Sequence, residues 1–153
     1  MYKGKAIKIP INVWQDPQGD IVLNTSEREC TVFFGCWDEQ GDPANYLSKI
    51  SFKNCLASKY MHSQFLPYKI YEDKAHSYIL KIENSTWLRE LIDEKRKLYP
   101  SDTHIGLSWD KKEYAHFVVQ GHDAYIDIIA TEFNMEIIHR ERAGDLVRLI
   151  DEA

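Results

Sequence analysis

The chain has 153 residues, 44% hydrophobic and 28% charged, with 19 Lys plus Arg against 24 Asp plus Glu. That length suits one domain burying roughly 70% of the surface its unfolded form exposes, and the composition excludes the charge-rich, apolar-poor regime of disordered chains. A formal net charge of -5 argues against broad attraction to nucleic-acid phosphates or anionic lipid and suits a basic protein partner better.

The opening MYKGKAIKIPINVW carries lysines but neither the apolar segment nor the small-residue cleavage site of a secretory signal. No apolar run approaches the ~20 residues of a membrane helix, so a soluble, cytoplasmic protein is expected. Ile7, Ile9, Ile11 and Val13 alternate with Lys8, Pro10 and Asn12, which predicts a first strand. Pro10 cannot donate to a ladder and assigns that strand to an edge. The turn DPQGD leads to a short strand at 21–23, and CTVFFGCWD (30–38) is a third strand that stops at the loop EQGDPAN.

Residues 49–61 alternate with a period of two and are expected as one strand. LPYKIYED and HSYILKIEN read as two more extended pieces around a polar turn at Glu72 to Lys74, with Pro67 keeping the first at an edge or in a loop. Ser85 is the N-cap of a central amphipathic helix over 85–99, whose apolar face carries Trp87, Leu88, Leu91, Ile92 and Leu98 and which Pro100 ends. A loop over 101–112 precedes EYAHFVVQGHDAYIDIIA (113–130).

That stretch reads as a β-hairpin with Gly121-His122 as a two-residue type II′ loop, because such a turn needs positive φ at its first central residue. Val119 then faces Ala124, Phe117 faces Ile126 and Ala115 faces Ile128 on one side. Val118 with Tyr125, His116 with Asp127 and Tyr114 with Ile129 form the other. A strand at 135–138 and a short C-terminal helix in GDLVRLIDEA follow. No linker or repeat divides the chain, so 1–153 is expected as a single α+β domain, mainly an antiparallel sheet of about six to eight strands.

Three kinds of site follow from the residues. An imidazole beside a carboxylate is how a general base is oriented, which makes His116 and Asp127 the candidate catalytic dyad, with Cys36, Cys55 or Ser108 as conceivable nucleophiles. As a cross-strand pair the same two residues are simply structural. Metal binding would draw on His116, His122 and Asp123, but His122 belongs at the hairpin tip, far along the strand from His116, and no metal is expected. For protein binding, the acidic stretch with Trp37, Asp38, Glu39 and Asp42, together with His122 and Asp123 at the hairpin tip, is the candidate surface.

Cys30, Cys36 and Cys55 are an odd number without CxxC spacing, and are expected as reduced, mostly buried thiols. The seven glycines form neither GxGxxG nor GxxxxGK, so no nucleotide cofactor is expected. Lys3, Lys5 and Lys8 beside Tyr2 are too few to indicate nucleic-acid binding against the overall sign.

The run NSTWLREL (84–91) followed by AHFVVQGHDAYIDIIATEF resembles a group of small bacterial proteins of uncharacterised activity. In that group an Asn-Ser-Ser-Trp-like helix start precedes a His-Tyr-Ile-Ile-x-x-His-Asp strand and turn. Ser85, Trp87, His116, His122, Asp123, Ile129 and Ala130 match, whereas Asp127 stands where the pattern carries Glu and Phe117 where it carries Tyr. The likeness spans about 76–138, and it implies a fold unit and no activity. Small proteins of this kind include immunity partners of bacterial toxins. The expected function is therefore a cytoplasmic protein-binding module, an immunity-type inhibitor of a basic toxin domain, with abundant Tyr, Trp and Phe as anchors. A small enzyme built on His116 and Asp127, and a homodimer or other homo-oligomeric accessory protein closed through a sheet edge, are the alternatives.

Overall fold

Long apolar runs such as CTVFFGCW need cover on both faces of a sheet, and two sheets flanked by helices supply it. A computed structural model describes residues 4–27, 29–71, 77–98 and 113–151. Among the described residues, eleven strands and three helices run in the order β1 (Lys5–Pro10), β2 (Trp14–Gln15), β3 (Ile21–Thr25), β4 (Cys30–Trp37), β5 (Pro43–Lys53), β6 (Ala57–Met61), β7 (Lys69–Ile70), β8 (Tyr78–Glu83), α1 (Thr86–Leu98), β9 (Ala115–Gln120), β10 (Tyr125–Ala130), β11 (Glu132–His139), α2 (Arg140–Ala143) and α3 (Asp145–Asp151). One sheet has the order β6-β10-β9-β8-β1-β7, and the other β11-β5-β4-β2 with β3 also on β4. All pairs are antiparallel except β1 with β7. The fold is thus α+β and mostly antiparallel, with a central helix and short C-terminal helices.

Val32, Phe34, Ile50 and Phe52 of the second sheet pack against Ile79, Phe117, Val119, Ile126 and Ile128 of the first, and this is the main core. Each such side chain, fully buried, contributes about 1.5–3 kcal/mol of transfer free energy. The alternate residues of β4 and β5, Phe33 and Leu47, are covered by Ala143 of α2 and Ile150 of α3. On the far side of the first sheet Ala6, Leu80, Ile82, Val118 and Tyr125 form a second apolar layer with Tyr68. That outer layer carries the site described below.

The hairpin pairs differently from the sequence expectation. Tyr125 faces Gln120, Ile126 faces Val119, Ile128 faces Phe117 and Ile129 faces His116. Relative to a two-residue loop, the partner strand has moved by two positions, and the connection is 121–124, closed by Gly121 N–H donating to the Ala124 carbonyl at 2.8 Å. The type II′ reading fails because Gly121 does not take positive φ; among the described glycines, Gly41 and Gly144 do. What position 121 requires is space, since a Cβ there would stand 2.9 Å from Ile21 Cγ1. A slip of two, unlike a slip of one, keeps every side chain on its expected face, so the apolar side of the hairpin still forms the inter-sheet core.

Other departures have local causes. Residues 49–61 are not one strand: Asn54 takes φ of 53°, a conformation Asn tolerates better than most residues, and the chain crosses there from β5 to β6 in the other sheet. β5 begins at Pro43, inside the expected loop. β1 is not at an edge, because β7 pairs with its first residues Lys5 and Ala6; Pro10, at the other end, faces Tyr78 of β8 and no β7 residue. The C-terminal helix expected in GDLVRLIDEA forms as α3, and Gly144, with φ of 57°, separates it from the preceding one-turn α2. α1 forms where Ser85 predicts, yet none of its residues is fully buried and Leu98 is 71% exposed. Pro100, the 101–112 loop with Ser108, and the turn at Glu72 to Lys74 lie outside the described residues. Among the described residues no helix is long and apolar enough to cross a membrane.

Candidate functional site

Alternation along β9 and β10 points His116, Val118, Tyr125 and Asp127 to the outer face of the first sheet. In the observed register His116 and Asp127 are diagonal neighbours rather than direct partners. The diagonal is within reach of these side chains, and His116 Nε2 lies 2.6 Å from Asp127 Oδ1. Tyr68 Oη donates to the same oxygen at 2.9 Å. On β6, Lys59 is directly opposite Asp127, and its Nζ stands 3.9 Å from Oδ2 and 4.3 Å from the centre of the Trp87 ring.

The other imidazole nitrogen meets the helix. Ser85 Oγ is 2.7 Å from His116 Nδ1 and accepts the Leu88 N–H at 3.1 Å, the N-cap bond that the sequence predicts. One assignment satisfies every donor: Leu88 N–H to Ser85, Ser85 O–H to Nδ1, and Nε2–H to Asp127. Tyr68 and Trp87 meet the imidazole edge-on at 5.3 and 5.2 Å. His116, Asp127 and Ser85 are 0, 1 and 7% exposed. Burial pulls the Lys59 ammonium below its ordinary value while Asp127 draws it back up, and burial, with Asp127 second, raises the Tyr125 hydroxyl.

A hydroxyl, an imidazole and a carboxylate in series are the components of nucleophile activation. Here the serine oxygen is already engaged by a backbone amide, and all three groups are enclosed, so the geometry ties the start of α1 to the sheet. Neither of the cysteines considered as nucleophiles joins it. Cys36 is 1% exposed and its thiol is pushed up to about 12, chiefly by burial, and Cys55 hydrogen-bonds the Ala57 carbonyl. The metal alternative is not assembled, since His122 and Asp123 pair with each other at the exposed tip at 3.2 Å. Among the described residues no group of three or more His, Cys, Asp and Glu is arranged to hold a metal ion.

The candidate binding residues gather at one end of the molecule. β2 pairs with the end of β4, which sets Trp14 edge-on against Trp37 with ring centres 5.3 Å apart and leaves Trp14 42% exposed. Asp38 organises the turn after Trp37 by accepting the Gln40 and Asp42 N–H groups at 2.9 and 3.0 Å, while Glu39 and Asp42 stay exposed. Gln15 reaches across to the hairpin, its Nε2 donating to the Gln120 carbonyl at 2.5 Å, and the His122 N–H donates to the Gly19 carbonyl at 3.4 Å. The DPQGD turn therefore joins the 38–42 turn and the hairpin tip. Segments 14–20, 37–43 and 120–125 together hold Asp16, Asp20, Asp38, Glu39, Asp42 and Asp123 and no lysine or arginine. Apart from Asp123 with His122, none of these carboxylates is in an ion pair among the described residues. Trp14, Asp16 and Asp20 escaped the sequence reading, although the turn signal beside them was visible.

No protein-family model, curated protein or solved structure matches the chain.

Proposed function

We propose that the chain is a protein-binding module that docks a basic partner on the acidic end carrying Trp14 and Trp37. The observation behind this reading is a half-exposed tryptophan, propped by a second, among three turns that bear carboxylates and no fixed cation. Large aromatic anchors supply contact area at low entropic cost, and an acidic rim accelerates encounter with a basic surface. The partner class this surface suits is a toxin enzyme with a basic cleft, which the chain covers as a cytoplasmic, immunity-type inhibitor.

The test is quantitative capture followed by kinetics. A partner captured from the native cell by the wild-type chain should be basic. The Glu39→Lys/Asp123→Lys double variant should slow its association at low salt about tenfold or more, and Trp14→Ala should raise its dissociation rate roughly 30-fold, the scale of a hot-spot anchor. A captured partner indifferent to both changes would remove this reading.

A second reading, an enzyme of the acyl-transfer type, is favoured by the unbroken Ser85–His116–Asp127 chain. Stoichiometric labelling of Ser85 by a fluorophosphonate, abolished in His116→Ala with the fold retained, would support it. Absence of labelling in the folded wild-type chain would leave the network its structural role.

A further inference from the structure

Cys30 opens β4 in the second sheet, paired with Thr25 of β3 on one side and Phe52 of β5 on the other. Three residues beyond Phe52, Cys55 lies in the crossover that carries the chain to β6 in the first sheet. Cys55 packs, partly buried, on the core cluster that contains Cys30. Side-chain hydrogen bonding between the two thiols is the largest influence on the ionisation of each, and Thr25 and Ser58 also act on Cys30. Their environments differ: Cys30 is 1% exposed, whereas Cys55 is only half-buried.

We infer that Cys30 and Cys55 form an oxidant-responsive dithiol that closes to an intramolecular disulfide, with half-buried Cys55 as the attacked sulfur and buried Cys30 as the resolving one. In the first step the Cys55 thiolate attacks one oxygen of a peroxide, breaking the O–O bond, to give Cys55 sulfenic acid and hydroxide. In the second the Cys30 sulfur attacks the sulfenic sulfur, its proton leaves with the displaced hydroxyl as water, and the S–S bond forms. Two thiols are oxidised and one peroxide is reduced to two waters. The hydrogen bond from Cys30 draws the Cys55 thiol below its ordinary value, and the same contact, with burial, raises Cys30. The direction of both shifts favours ionisation at the more accessible sulfur. Cys36 is a built-in contrast, because it is equally buried, pushed up to about 12 by burial, and without a thiol neighbour among the groups that shift it. The bond ties β4 of one sheet to the segment leading into the other.

The experiment treats the full folded chain with hydrogen peroxide, quenches it, denatures it, and counts free thiols with a maleimide before peptide mapping. Two of the three thiols should disappear together and return with dithiothreitol, and fragmentation should locate the cross-link at Cys30 and Cys55, leaving Cys36 free. In Cys30→Ser, Cys55 should stop at sulfenic acid and be captured by dimedone. In Cys55→Ser, thiol loss should slow by about tenfold or more, since only thiols held protonated by burial remain. A cross-link through Cys36, a bond between chains, or Cys55 oxidised in the wild type while Cys30 stays free would each overturn the inference. So would three thiols surviving peroxide that oxidises free cysteine. The mapping is done on the wild-type chain, so it does not depend on either variant folding.

Discussion

The hairpin holds two histidine–aspartate pairs only a few residues apart. His116 and Asp127 are separated by 2.6 Å with side chains 0 and 1% exposed; His122 and Asp123 are separated by 3.2 Å with side chains 54 and 73% exposed. The chemistry is the same and the surroundings are opposite. Around the first pair, Tyr68, Lys59, Ser85 and the start of α1 occupy the remaining donor and acceptor sites, and two aromatic rings exclude water. Around the second, water does so. A polar contact within a low-dielectric enclosure is stronger, and its loss leaves orphans, whereas an exposed contact exchanges freely with solvent.

The largest way to break the comparison is His116→Ala. It removes a buried ring and strips partners from Asp127 and Ser85 together, so a loss of about 3–5 kcal/mol is expected from cavity and unsatisfied groups. Urea unfolding checks it, and a loss below 1 kcal/mol would mean the network carries little of the stability. Gly121→Ala acts on the solvated end by another route. Its new methyl would meet Ile21 at 2.9 Å, and overpacking of that kind costs about 1–3 kcal/mol. The same denaturation assay measures it, and Ile21→Val should restore part of the loss if the clash is the cause.

How much of this was legible follows from sequence distance. Alternation in AHFVVQ and YIDIIA assigns faces, and a register error of two leaves faces unchanged, so His116 beside Asp127 was readable without the correct turn. Local signals also announced the Ser85 cap. What alternation could not announce is convergence. Tyr68 and Ser85 reach His116 from 48 and 31 residues away, and only the tertiary fold brings the residue before β7 and the start of α1 to that face. The turn error arose because a glycine was read for its φ when packing against Ile21 required it. At the acidic end, Trp37 and the 38–42 turn were visible locally, and Trp14 joins them through a two-residue strand too short to carry a period.

Ser85→Ala sharpens the comparison by touching the buried network at its helical end while leaving the ring and carboxylate in place. It deletes the cap on Leu88 and the hydroxyl on His116 Nδ1, and a cap of this type is worth about 1–2 kcal/mol. Hydrogen exchange should show the loss concentrated in the first turn of α1; uniform loss would mean that Ser85 supports the sheet more than the helix.

The smallest effect belongs to His122→Ala. Exposed pairs are worth about 0–1 kcal/mol and are screened within ~3 Å at 1 M salt, so the change should fall within about 0.5 kcal/mol of wild type and shrink further when salt is added. The His116→Ala loss, arising behind a layer of protein, should survive the same salt. If His122→Ala instead destabilised the chain as much as His116→Ala, adjacency of the two groups would outweigh enclosure. The contrast drawn from the two ends of this hairpin would then be wrong.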